Sequence, residues 1–562
     1  MKKKYTLTSS IGQYSGNRRI NTTDLEEPDP DNEETLKKWF DGNKKVPYKS
    51  KLRMYKRIIS ETIDPKKLTV HIVGQSHLDC AWMWRFEQTR KKADVTFSKA
   101  VLHSEMFPKT FHFAISQPLQ LQWIKEDNPK LFSKIKELIE KGNIELVGGS
   151  YVEPDCMMPS GEAMIRQRLY GMRFYMKNFD IIPQIEWFLD SFGYNHGLPQ
   201  ILSKSGAKYF WTTKLTWNLD TTFPLVNFWW QGPDGSKILT TNFPYDLTVL
   251  GSWNRFELGR HLLKDEAKRI WKYSTGYQDF KDFVKHEICP QIGCFFGLSD
   301  GGHGPTHKEV AVVNKFVEKE WIKWSTVEKF FKEVEKYAKE FPIWNDELYL
   351  EIHRGCFSNH AKVKRQNRKF ENLIVAFEKI ASFLSILDSN YIYPRKDLEL
   401  LWKYTLKNQF HDVLPGSSIP EVYDDVWEDW IHQKQLISNI SNQITKSLLK
   451  TEKVDSINNS NSNIKQIILF NSLSWKRKSP LFIPLKIFSD SEDFQNEGLP
   501  YMKLTLESNK KIFLCQPEYS VFESIGIKLI GWWCVPELTP LSIVNAKLEP
   551  LSEEETKDLI KK

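Results

Sequence analysis

The sequence predicts a multidomain α/β protein: a parallel α/β catalytic region, then a three-helix bundle, then an all-β region. Three observations carry this. Short β-branched or aromatic runs ending in Gly or Asp alternate with helical segments from Leu68 to Leu298, the pattern of parallel βαβ units. After Asn367 the apolar period becomes helical. Beyond a polar Asn/Ser stretch at 456–463, short strand-like runs return. A chain of 562 residues has room for about three or four domains, or one large barrel with appendages.

The elements follow in order. Residues 1–66 read as an appendage. The acidic, Pro-containing stretch from Asp24 to Glu34 reads as a loop, and Lys51 to Thr62 can form a short helix. The core opens at Leu68-Thr69-Val70-His71-Ile72-Val73-Gly74, a strand closed by a turn. A helix is expected from Asn128 to Lys141. Pro129 suits its first turn, Leu131, Ile135, Leu138 and Ile139 share a face, and Gly142 ends it. Strands follow at Ile144–Val147, at Ile185–Leu189 with Asp190 at its end, within Gly206–Thr212, and at Gly293–Leu298. Over roughly 290 residues this alternation fits a barrel or an open α/β sheet. Asn367–Leu387, Lys396–Gln409 and Glu421–Leu449 read as three long helices. Gln466–Phe470 and Pro480–Leu485 read as strands of a β region. The expected boundaries are 67–365 for the catalytic region, 366–452 for the helical bundle, 453–464 for the linker and 465–562 for the β region.

Composition narrows the function. Hydrophobic residues make up 40% and charged residues 27%, which excludes disordered, collagenous and coiled-coil descriptions of the whole chain. Lys and Arg exceed Asp and Glu by 79 − 71 = 8. The excess is spread along the chain with no recognised module, so it does not point to nucleic acid. The seven cysteines, at 80, 156, 289, 294, 356, 515 and 534, form no CxxC pair. Neither a zinc knuckle nor a disulfide framework is indicated, and a reducing compartment is expected. No run of about 18 apolar residues occurs, so no membrane-spanning helix is expected. No apolar stretch follows the opening Met1-Lys2-Lys3-Lys4, and the expected location is cytoplasmic.

Four features at element ends carry chemistry. His77-Leu78-Asp79 follows the first strand. Residues two apart in an extended chain face one side, so imidazole and carboxylate can grip one metal ion, although an HxD pair alone is more often a polar loop. Asp190 ends a very apolar strand, where catalytic groups of parallel sheets sit; a helix N-cap explains it equally. Asp300 lies at the tip of a Gly-rich loop, Gly297 to Thr306, where a turn Asp is the plainer account. His411-Asp412 ends a helix, where a cap or core histidine is the commoner case. Glu153-Pro154-Asp155 and His353-Arg354-Gly355 complete the polar groups at element ends. Together His77, Asp79, Asp190 and His411 make a nitrogen and oxygen set suited to zinc or a similar divalent ion. Asp300 adds a further carboxylate. Two carboxylates and a metal allow acid and nucleophile roles in glycoside cleavage.

These segments resemble glycoside hydrolase family 38, the class II α-mannosidases. His77-Leu78-Asp79-Cys80-Ala81-Trp82 resembles its HxDxxW opening, and Leu189-Asp190-Ser191-Phe192-Gly193-Tyr194-Asn195 its nucleophile motif. Leu198–Leu202 and Lys214-Leu215-Thr216-Trp217-Asn218 look like the continuation. Gly355, Phe357, Lys364-Arg365 and Asn367-Arg368 fit an intermediate motif. Asn408 to Ser417 resembles its late metal-binding segment, and Phe470 to Trp475 the start of its β-sandwich. The match runs from 68 to 475 in order. The Gly-Tyr-Asn after Asp190 and the Gly-Gly-x-Gly-Pro-Thr loop resemble the cytosolic-type branch.

The resemblance implies a (β/α)7-type barrel, a three-helix bundle completing the active site and a β-sandwich region. It implies one divalent metal, zinc first and cobalt or manganese as alternatives, held by His77, Asp79, Asp190 and His411. Asp190 would double as nucleophile and Asp300 would be the general acid/base. Trp82, Phe192, His353 and Asp412 would line the sugar site. The implied substrate is an α-mannoside oligosaccharide. Family members carry a longer β region, so an incomplete β-sandwich is expected here, along with either a homo-oligomer or a missing C-terminal β partner. Two other readings stay open: a metal-dependent polysaccharide deacetylase-like hydrolase with water as nucleophile, and a non-catalytic sugar-binding relic.

Overall fold

In this computed structural model, residues 69–217, 225–242, 289–297, 300–307, 322–451, 465–484, 499–522 and 527–560 are described, with a few single residues between them. The expected N-terminal appendage, its helix at Lys51–Thr62 and the linker at 453–464 lie outside them. The chain divides into two units. One holds residues up to Asn372 together with Glu399–Lys434; the other holds Leu373–Leu398 and Gln435 onward.

The first unit is built on two sheets. Strand β1 (Thr69–Gln75) is flanked by β2 (Phe113–Ile115) and β8 (Gln291–Phe296), both parallel to it. Strand β3 (Ile144–Leu146) extends the sheet beside β2, and β9 (Ile322–Trp324) also pairs in parallel with β1. The second sheet runs β10 (Ile343–Trp344), β6 (Asn227–Gln231), β7 (Lys237–Thr241), β5 (Tyr209–Trp211), β4 (Ile185–Trp187). Its β4, β5 and β7 are parallel.

Strands β6 and β7 form an antiparallel hairpin that the sequence reading passed over. Its turn is Pro233-Asp234-Gly235, with Gly235 at a positive φ of 84° and the Gly232 N–H bonded to the Ser236 carbonyl. That Pro-Asp-Gly run is a turn signal with a mechanism.

One backbone bond, Gly148 N–H to the Ile185 carbonyl at 2.8 Å, ties the end of β3 to β4. The two sheets also share an interior. Trp187 and Trp211 lie 4.9 Å apart by ring centroid, and Phe295 of β8 stands 5.5 Å from Trp187. Gly293 faces them: a Cβ there would fall 2.1 Å from the Trp211 ring.

Helices connect the strands: α1 (Phe86–Met106), α2 (Pro118–Asp127), α3 (Pro129–Glu140), α4 (Gly161–Phe179), α5 (Leu198–Lys204) and α6 (Val327–Glu335). Helix α3 behaves as its sequence predicts. Asn128 caps it by accepting the Leu131 N–H, Pro129 occupies the first turn, and Leu131, Phe132, Ile135 and Leu138 are buried. Strand β4 stops at Trp187, two residues sooner than expected. Asp190 therefore stands in the following loop rather than at the last strand position, and it caps no helix.

Three long helices follow: α7 (Ala361–Leu387), α8 (Arg395–Lys407) and α9 (Pro420–Thr451). Helix α7 begins six residues before the expected start, and α8 stops two short of Gln409, which leaves Asn408–Asp412 in the turn beyond it.

The second unit contains an antiparallel sheet in the order β11 (Lys465–Asn471), β18 (Ser542–Pro550), β14 (Met502–Leu506), β15 (Ile512–Phe522), β16 (Ile527–Cys534), β13 (Leu481–Pro484). Its inner face alternates as a half-buried sheet must. Met502, Leu504 and Leu506 are buried on β14, and Val544, Ala546 and Leu548 on β18. A short pair, β12 (Arg477–Lys478) with β17 (Glu537–Leu538), lies beside it in sequence, and α10 (Glu553–Ile560) ends the described chain. No described helix is long and apolar enough to cross a membrane.

Candidate metal and active site

The site forms where β1, β3, β4 and β8 end. Past β1, the turn His77-Leu78-Asp79 is held from several sides. The Leu78 carbonyl accepts the amides of Gln117 and Gln120 at 3.0 and 2.7 Å. The Asp79 carbonyl accepts the Thr89 hydroxyl at 3.0 Å. The Asp79 N–H donates to the Asp300 carbonyl at 2.9 Å, and Leu78 bridges Gly301. Leu78 turns into the core while its two polar neighbours share the other side. His77 Nε2 and Asp79 Oδ1 are 2.9 Å apart.

The loop after β3 reaches the same point. The Glu153 N–H donates to Gln117 Oε1 at 3.0 Å. The turn beyond α8 docks on this loop: Asp155 N–H to the Gln409 carbonyl at 2.8 Å, His411 N–H to the Glu153 carbonyl at 3.2 Å, and a bridge between Pro154 and Phe410. This brings in His411. Its Nδ1 lies 2.9 Å from the Glu153 carbonyl and its Nε2 3.2 Å from Asp79 Oδ1. The two imidazoles stack at 5.4 Å with both Nε2 atoms aimed at one carboxylate oxygen.

Asp190 completes the group. Its N–H donates to Glu153 Oε1, Ser191 Oγ donates to the Pro154 carbonyl at 2.7 Å, and Thr213 Oγ1 donates to the Leu189 carbonyl at 2.9 Å. Its Oδ2 is 3.7 Å from His411 Nε2, and its Oδ1 is paired with the Lys214 ammonium. Its side chain is 26% exposed, against 0% for His411.

Three overlapping sets bring donor atoms within 4.8 Å of one another: His77, Asp190 and His411; His77, Asp79 and Asp300; Asp79, His411 and Asp412. The structure thus draws together His77, Asp79, Asp190, His411, Asp300 and Asp412, from four separate stretches of chain. Asp300 sits in the left-handed region with φ 49°, a turn conformation Asp tolerates. Phe192 and His353 pack at 4.4 Å, and Phe192 meets the His411 edge at 5.8 Å. Trp82 packs edge-on against Trp84 at 5.7 Å, and its carbonyl accepts the Ile419 N–H.

The electrostatics separate the carboxylates. Burial alone would raise Asp190, but the Lys214 ammonium with His411 and His77 outweighs it and holds Asp190 below the usual carboxylate range. Burial, reinforced by Asp79 and Asp190, pushes Asp300 up to about 6. Burial and Asp79 push Asp412 up to about 7. Burial disfavours charge on His411, yet its bond to Asp79 and the nearby Glu153 and Asp412 carry it to about 9. A buried field that favours cationic imidazoles equally favours a metal cation between them. The donor chemistry, two imidazole nitrogens and carboxylate oxygens, fits a divalent ion.

Two residues had no role in the sequence reading. Glu153 was one more polar residue after a strand, and Lys214 one letter of a resembling segment. Lys214 is 3% exposed and follows β5 as Asp190 follows β4. A lysine beyond a parallel strand end is the one signal that could have marked it.

Comparison with known proteins adds the following. Residues 67–347 match the family described as glycosyl hydrolases family 38 N-terminal domain, and 351–448 match the alpha mannosidase middle domain. Alpha-mannosidase G of Dictyostelium discoideum is 35% identical over 415 residues, covering 71% of this chain and 35% of that protein. Alpha-mannosidase 2C1 of Mus musculus is 32% identical over 419 residues, covering 74% of this chain and 38% of that one. The chain thus spans little more than a third of the length of these curated relatives. Among solved structures, an alpha-mannosidase from Enterococcus faecalis V583 superposes with TM-score 0.61 at 17% identity, over 86% of this chain and 56% of that one, a likeness of fold.

Proposed function

The chain belongs to glycoside hydrolase family 38, and on that premise we propose that it is a retaining α-mannosidase. Its substrates would be oligosaccharides with terminal non-reducing α-D-mannose. The observation that carries this is that His77, Asp79, Asp190, His411 and Asp300 meet in overlapping sets of donor atoms. Names of relatives at 32–35% identity agree with it.

His77, Asp79, Asp190 and His411 would hold one divalent ion, zinc before cobalt or manganese. That ion would supply a Lewis-acid grip on sugar hydroxyls. The residues divide the remaining work. Asp190, kept ionised by Lys214, attacks the anomeric carbon, and the glycosidic bond to the leaving oxygen breaks. Asp300, whose carboxyl burial raises to about 6, gives its proton to that oxygen. In the second step Asp300 takes a proton from water, whose oxygen displaces Asp190 from the sugar. Two carboxylates with environments pushing them in opposite directions suit these two roles. Phe192, His353, Trp82 and Asp412 would line the sugar site.

We further infer that the two sheets of the first unit are arcs of one seven-stranded barrel, β8-β1-β2-β3-β4-β5-β7. The Gly148–Ile185 bond and the shared Trp187, Trp211 and Phe295 interior support this. The three helices would form the bundle behind His411, and the β region would be a sandwich, with domain limits as read from the sequence. A cytosolic-type, cytoplasmic enzyme is part of the same proposal, resting on the Gly193-Tyr194-Asn195 and Gly301–Thr306 segments.

The test is hydrolysis of a chromogenic α-mannoside by the purified chain, after chelation and after restoring zinc or cobalt. Metal-restored turnover, abolished in Asp190→Ala, is the expected result. A folded chain with no turnover under any of these metals would overturn the proposal.

A further inference from the structure

Glu153 touches three of the four candidate ligands through three different oxygens. Its Oε1 accepts the Asp190 N–H. Its Oε2 lies 3.3 Å from His77 Nδ1. Its main-chain carbonyl lies 2.9 Å from His411 Nδ1. The residue is 1% exposed and its loop is pinned by Gln117 Oε1 and by the Gln409–Phe410 turn.

An imidazole has one N–H when neutral, and a hydrogen bond at one nitrogen decides which nitrogen keeps its lone pair. A carbonyl oxygen can only accept. His411 can therefore satisfy the Glu153 carbonyl only with a proton on Nδ1, so that when its Nε2 proton gives way to a metal the Nε2 lone pair is the one that faces Asp79 and Asp190. His77 has a carboxylate oxygen at each nitrogen, Asp79 Oδ1 at 2.9 Å from Nε2 and Glu153 Oε2 at 3.3 Å from Nδ1; with a metal at Nε2 the ring's proton would stand on Nδ1, facing Glu153.

We propose that Glu153 is the positioning residue of the metal centre: it selects the Nδ1–H tautomer of both histidines and fixes the backbone of Asp190, so that both Nε2 atoms and the Asp190 carboxylate converge. Glu153 is in none of the candidate donor sets. The inference rests on the proposed metal centre and adds the residue that organises it. Outer partners of this kind typically govern metal affinity by 10–100-fold.

The experiment uses the full chain, stripped of metal and titrated with cobalt(II), whose visible spectrum reports binding. Glu153→Gln is the main variant. It keeps an oxygen for the Asp190 N–H, but its amide cannot present a charged acceptor to His77 at Oε2. The expected result is a cobalt affinity lowered by about 10–100-fold, with the thermal midpoint of the metal-free protein unchanged. Glu153→Asp, which keeps the charge, should recover part of the affinity. A Glu153→Gln affinity within threefold of the unsubstituted chain would overturn the role while leaving the metal centre standing. No cobalt binding by the unsubstituted chain would overturn both. If the Gln variant does not fold, histidine-selective ¹⁵N NMR of the zinc-loaded native chain decides: both rings protonated on Nδ1 and metal-bound through Nε2 is expected, and Nδ1 ligation by either ring overturns the role.

Discussion

The loop that carries Glu153 is anchored by a buried ion pair, and breaking that pair should be costly. Glu186 of β4 is 0% exposed and Arg168 of α4 is 1% exposed. One Glu186 oxygen accepts the N–H groups of Gly149 and Ser150 at 3.2 and 3.3 Å, and the other is paired with Arg168 Nη1. Arg168 also donates to the Ser205 hydroxyl at 2.9 Å and carbonyl at 3.2 Å. Gly149 lacks a side chain because the guanidinium fills its place: a Cβ would sit 2.1 Å from Arg168 Nη1.

Arg168→Met keeps most of the volume and removes the charge. It strands an ionised Glu186 in the interior with two backbone donors and no counter-ion. Removing one partner of such a pair costs about 3–5 kcal/mol, far more than the net worth of the pair. Adding Glu186→Gln removes the stranded charge and keeps an acceptor for the two N–H groups. The double variant should therefore be more stable than the single one by about 2 kcal/mol or more. The assay is urea unfolding, followed through the transition that quenches the fluorescence of the Trp187 and Trp211 interior, since a two-unit chain need not unfold in one step. A single variant costing less than about 1 kcal/mol, or a double variant less stable than the single, would refute the view of Glu186 as a desolvated charge.

Other outcomes follow from the site and core. Lys214→Met removes the cation that keeps Asp190 ionised, and kcat on an α-mannoside should fall by about 100-fold or more with metal affinity little changed; unchanged kcat would remove Lys214 from the mechanism. Asp300→Asn should cost about 10²–10⁴-fold on poor leaving groups and far less on a dinitrophenyl mannoside, whose leaving oxygen needs no proton; equal losses on both would deny Asp300 the acid role. His71 is buried on β1 between Ser325 and Gln291, and burial lowers it to about 4. The unfolded chain takes up that proton near pH 6.5 and the folded chain does not. Stability from this group is present above pH 6.5 and declines toward pH 4, by up to about 3 kcal/mol. His71→Gln should flatten the urea midpoint against pH over that range, and a parallel curve would refute the assignment.

Much of the site was legible because the chemistry sits at strand ends. His77 and Asp79 announce themselves by a spacing of two after a β-branched strand, and Asp190 by closing the apolar run Ile185–Leu189. The capped helix Pro129–Glu140 was equally legible, since Asn128, Pro129 and a one-sided apolar stripe act locally. Helix α1 was not. Its buried face includes Thr89, Thr96, His103 and Ser104, while Val95, Leu102 and Met106 are exposed, so the contrast that periodicity detects is weak. The β6–β7 hairpin carried its turn signal in Pro233-Asp234-Gly235 but sits among strands of a parallel pattern.

By itself the sequence determined which groups are available: two histidines, the carboxylates, and the strand and helix ends that would present them. Only the tertiary structure decided that they meet. His411 and Asp79 stand 332 positions apart in the chain, yet lie 3.2 Å apart in space. Glu153 became central because a carbonyl and a carboxylate on one residue face two different imidazoles. Local periodicity encodes which way a side chain points along its own element; it does not encode the partner supplied by another, and the partner sets both the tautomer of a histidine and the charge of an aspartate.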